Sequence, residues 1–132
     1  MDYTNLTKEE LKQLCREWQE ILRLQSWDIE ADICRSDEFS VPNRTGENCW
    51  DLSVGKAYIR VLHPVDYKKS VWPHDMELVL VHELLHLYFI VFSPEEESTI
   101  KHSFMENTIE TLAKVLVRLR REGRIKYETE KY

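Results

Sequence analysis

Met76-Glu77-Leu78-Val79-Leu80-Val81-His82-Glu83-Leu84-Leu85-His86-Leu87-Tyr88-Phe89-Ile90-Val91-Phe92 is the stretch on which the fold turns. It is apolar almost all the way round a helical wheel, so the pattern predicts a helix over 76–92 buried on most of its sides. Pro73 is placed for the first turn of that helix. Downstream, Ser93-Pro94-Glu95-Glu96 has the chemistry of a stop and a fresh start, with a Ser cap, Pro in the first position and Glu at the third. A last helix is predicted from there to about Glu122, with an apolar stripe of Phe104, Ile109, Leu112, Leu116 and Leu119 and Gly123 as terminator.

Upstream of the buried helix, Thr7-Lys8-Glu9-Glu10 has capping-box spacing. Leu11, Leu14, Cys15, Trp18, Ile21 and Leu22 then recur at three and four, as in an amphipathic first helix. Trp27 to Ile33 alternates apolar and acidic residues with period two and reads as a strand. The polar run from Arg35 to Asn48, with Pro42 and Gly46, reads as a connection or an irregular hairpin with no catalytic signal. Cys49–Val54 and Lys56–Leu62 straddle Gly55 as two short strands or one bent one, and His63-Pro64 ends them. The expected fold is therefore α+β: an N-terminal helix, a small, mostly antiparallel sheet, the buried helix and a C-terminal helix. Three glycines and four prolines are too few for the many tight turns of a sandwich or barrel.

The 132 residues, 42% hydrophobic and 32% charged, suit one globular domain over 1–132. A net charge of −6 argues against a nucleic-acid-binding surface, which is usually basic. The chain opens without a basic region and apolar core, and the apolar stretch from Leu78 to Phe92 is too short and too interrupted to span a bilayer. Cys15, Cys34 and Cys49 are odd in number and widely spaced, which fits a reducing cytoplasm.

Chemistry concentrates in His82-Glu83-Leu84-Leu85-His86. Residues i and i+4 share a helix face, so both imidazoles can reach one ion, with the intervening glutamate beside it. Two imidazoles and a carboxylate among Leu and Val are costly unless a partner compensates, and an ion compensates all three. Zinc takes at least three protein ligands, and Glu106, 20 positions beyond His86, is the candidate third, with His102, Glu110 or none of these as the alternatives. Glu110, one turn after Glu106, is placed to accept the remaining N–H of His82.

Over about residues 76–113 the chain resembles the gluzincin type of zincin-fold metallopeptidase, in which HExxH on one helix is completed by a Glu on the next. The order of elements is also similar to the minimal cores of SprT-like and ImmA/IrrE-like proteins of bacteria and phages. Phe89 and Phe92 stand where a metzincin has Gly and His, and Phe92 also breaks the match to YbeY-type endoribonucleases. The resemblance implies one Zn2+ per chain on His82, His86 and Glu106, and Glu83 as the general base of peptide hydrolysis. Glu83 then takes a proton from the zinc-polarised water and passes it to the leaving amine. It also implies a peptide or protein substrate lying along an edge strand, for which Lys56–Leu62 is the candidate. Tyr58, Tyr67, His74 and His102 are the conceivable oxyanion stabilisers. In so short a chain a partner protein is expected to complete the cleft. The alternative is a catalytically silent interaction module of phage or mobile-element type.

Other features have plainer readings. Glu95-Glu96-Glu97 is a solvated first helical turn, and the basic run Arg118, Arg120, Arg121, Arg124 and Lys126 complements a helix C-terminus. Trp18, Trp27, Trp50 and Trp72 are expected in the core or at its edge.

Overall fold

A computed structural model describes residues 1–93 and 99–126. Thr7 caps helix α1 (Lys8–Ile21) reciprocally: its hydroxyl accepts from Glu10 N–H, and the Glu10 carboxylate accepts from Thr7 N–H. Strand β1 (Asp28–Cys34) follows, then a connection over 35–45, β2 (Gly46–Asp51) and β3 (Lys56–Leu62). Helices α2 (Met76–His86) and α3 (Ile100–Arg121) complete the architecture. It is α+β, with three α-helices and a small three-stranded mixed sheet among the described residues. No helix among them is long and apolar enough to cross a membrane.

The sheet order is β1-β3-β2, with β1 parallel and β2 antiparallel to β3, so the expected mostly antiparallel pairing is corrected to a mixed one. The 35–45 connection carries the chain past β3, and β2 then returns as a hairpin with β3 through Gly55, at a φ of 66°. Lys56–Leu62 is consequently the central strand. Its burial alternates as far as Val61, with Ala57, Ile59 and Val61 all buried, and both its edges are paired, so it cannot accept a further strand. The free edges belong to β1 and β2. Gly46 to Asn48, read from sequence as connection, are already strand.

Helix α2 contacts α1, α3, β2 and β3, which is the all-round burial its composition requires. It ends earlier than expected. Leu87 N–H bonds to the Leu84 carbonyl, three residues back, and a 3-10 turn occupies Ile90–Phe92. Aromatic and β-branched residues crowd Tyr88 to Phe92, and such side chains favour the helix less. Nor does Pro73 open it: Asp75 is the cap, its carboxylate accepting from Leu78 N–H. The expected start of the last helix at Ser93-Pro94-Glu95-Glu96 lies outside the described residues, as does the Glu95-Glu96-Glu97 turn, and α3 is capped by Thr99. Gly123 ends α3 as expected, at a φ of 75°, with Arg124 N–H bonded to the Leu119 carbonyl.

The buried stripe of α3 is Ile109, Ala113 and Val117, flanked by Met105 and Leu116, whereas Phe104 and Leu112 are exposed. Trp18 is buried and Trp27 packs against the core, but Trp50 and Trp72 face solvent, against expectation. The basic run does more than complement a dipole: Arg120 pairs with Glu17, and Arg121 pairs with Asp75 and Glu77, tying α3 to α1 and α2.

Candidate metal centre

His82 and His86 lie one turn apart on α2, with ring centroids 5.1 Å apart. The Glu106 carboxylate on α3 spans them: one oxygen is 3.1 Å from His82 Nε2 and the other 2.9 Å from His86 Nε2. On the far side of the His82 ring, Nδ1 is 2.9 Å from a Glu110 oxygen, and that carboxylate has Lys114 Nζ at 3.8 Å. Helical spacing explains both pairs: His82/His86 and Glu106/Glu110 are each i and i+4, and the packing of α2 on α3 brings the two faces together.

Burial pushes the His82 imidazole towards its neutral form, yet the hydrogen bonds to Glu106 and Glu110 outweigh it and raise the pKa to about 9. The same contacts from His82 and His86 hold the Glu106 carboxyl well below the usual carboxylate range. Glu83 behaves oppositely. Burial raises its pKa, while the neighbouring His82 and His86 charges pull it down.

One atom each from His82, His86 and Glu106 falls within a mutual 4.8 Å. In a tetrahedral zinc site with ligand bonds near 2.0–2.1 Å, ligand atoms are about 3.4 Å apart, so only a small outward adjustment separates the Glu106 contacts from a coordinating set. Two imidazoles and one carboxylate are also the donor types of a zinc centre that keeps a position open. His102 points to the same carboxylate, with Nε2 at 3.9 Å from Glu106.

Three of the four conceivable oxyanion stabilisers are engaged elsewhere. Buried His74 bonds through Nε2 to the Leu62 carbonyl and stacks on Tyr67, whose hydroxyl donates to the Trp72 carbonyl. Tyr58 lies on the sheet face opposite the core, its hydroxyl 3.7 Å from Cys34 Sγ. Two residues that the sequence reading did not single out for the site reach its region from β2. Gly46 passes against the Glu83 side chain, and the Asn48 amide donates to the Glu83 carbonyl at 2.8 Å. Their only local signal was a glycine in a polar run. No protein-family model, curated protein or solved structure matches the chain.

Proposed function

We propose that the protein is a zinc-dependent metallopeptidase with a zincin-like core, holding one Zn2+ through His82, His86 and Glu106. The observation that carries this reading is the Glu106 carboxylate spanning both α2 histidines, with Glu110 behind His82. Bound zinc supplies a Lewis acid for a scissile carbonyl and lowers the pKa of the attacking water.

The chain's own residues do the rest. Glu110 accepts the Nδ1–H of His82, which fixes the tautomer and leaves Nε2 as the ligand atom. Glu83 serves as the proton carrier between water and leaving amine. Its burial raises its pKa, and a carboxylate shifted towards the working pH gives a proton back more readily. With β3 paired on both edges, the strand offered to an extended peptide is β2, which lies at the sheet margin against α2.

The test is elemental mass spectrometry on untagged protein, followed by peptide hydrolysis assays on wild type and two variants. Zinc close to one per chain is expected in wild type and in Glu83→Gln, with hydrolysis lost only in the latter. Glu106→Ala is expected to lose most of its zinc. Absence of zinc after incubation with a modest excess and dialysis overturns the metal assignment. Zinc without turnover on unfolded protein overturns the peptidase.

A further inference from the structure

We propose that Gly46 and Asn48 are positioning residues through which strand β2 holds Glu83 at both ends, side chain and main chain. The inference rests on the reading of Glu83 as the general base. Gly46 and Asn48 are two apart on β2 and therefore share the sheet face that meets α2.

At Gly46 the approach leaves no room for a methyl group. A Cβ there would lie 2.5 Å from Val79 Cγ1, 3.0 Å from Glu83 Oε2 and 3.3 Å from Glu83 Cγ. Gly46 has no left-handed φ, so close approach is the reason for glycine. The β2 backbone is thus one wall of the slot that fixes the Glu83 rotamer.

At Asn48 the restraint acts on the main chain. Where α2 ends, Leu87 N–H turns to the Leu84 carbonyl, so the Glu83 carbonyl is among the orphan acceptors of the last turn. The Asn48 amide fills that vacancy from across the fold. Asn48 Oδ1 meanwhile is buried with no hydrogen-bond partner among the described residues.

The experiment uses zinc-loaded full-length Gly46→Ala, Gly46→Ala/Val79→Ala and Asn48→Asp. The last keeps the shape of Asn48 and loses its donor. Zinc content is expected to stay at the wild-type level, because neither residue is among the proposed ligands. kcat should fall by about a hundredfold with KM within about twofold, the pattern of a displaced group acting in the transition state. Val79→Ala relieves the tightest clash but leaves the Glu83 contact, so the double variant should remain slow. Wild-type kcat in Asn48→Asp, or full rescue by Val79→Ala, overturns the proposal. Crystal structures of the variants give a readout apart from turnover: the Glu83 carboxylate is expected to move by about 1 Å. An unmoved Glu83 overturns the positioning role even where wild type proves inactive, while inactive wild type with a displaced Glu83 overturns the peptidase alone.

Discussion

Glu77 is 1% exposed and so poses a plain physical problem: a carboxylate in the core must be satisfied or neutralised. Three partners meet it. Trp18 Nε1–H donates to one oxygen at 2.8 Å, and Arg121 donates to the other at 2.9 Å, with Arg120 Nη1 at 3.8 Å. Arg121 also bonds both oxygens of Asp75 and lies 3.8 Å over the Tyr3 ring. Burial alone would lower its pKa, and these two carboxylates hold it above the ordinary arginine value. Glu77→Ala leaves the guanidinium and the indole N–H facing a void, and should cost about 3–5 kcal/mol by urea denaturation. A loss below about 1 kcal/mol would show that water reaches the cluster. His82, Glu83 and His86 were legible in the sequence because their spacing is local to one helix. Glu77, Gly46 and Asn48 were not, because each acquires its role from a contact with an element far along the chain.

Elements were legible by type and less so by placement. Period two identified β1, and the segments either side of Gly55 read as two short strands or one bent one, but neither reading says which strand is central. That followed from the 35–45 connection, which carries β2 to the far side of β3. Helix α3 shows the same limit at the level of a face. Phe104, Ile109, Leu112, Ala113, Val115, Leu116, Val117 and Leu119 supply more apolar positions than one stripe can bury, so the wheel alone could not choose between arcs. Packing against α2 chose the arc centred on Ile109, Ala113 and Val117, where small Ala113 allows close approach. Ile109→Ala should therefore cost about 2–5 kcal/mol, as for other large-to-small changes in a core. Phe104, 72% exposed, should tolerate Ala within about 0.5 kcal/mol. Equal losses in the two variants, read from thermal or urea unfolding, would mean that the outer arc is covered in solution.

At the scale of the whole molecule, α2 is the hub, touching the sheet through β2 and β3 and both other helices. α3 is fastened to that hub at two levels. Arg120 and Arg121 clamp its C-terminal end to α1 and to the start of α2, while Glu106 and Glu110 meet the histidines near the other end of α2. On the proposed reading, a zinc ion at the second level would cross-link α2 and α3 and bind a geometry that the unfolded chain lacks. Metal binding should thus appear as folding stability. Zinc at 100 times its Kd should add about 2.7 kcal/mol, or roughly 10 °C in melting temperature for a chain of this size. A chelator should reverse the gain, and His86→Ala should abolish it, whereas Glu83→Gln should retain it because Glu83 is not among the proposed ligands. Scanning calorimetry of the three proteins, with and without zinc, separates the cases without any substrate. A wild-type melting temperature that ignores zinc would mean that the α2–α3 junction takes no stability from the ion and is held by its apolar packing and ion pairs.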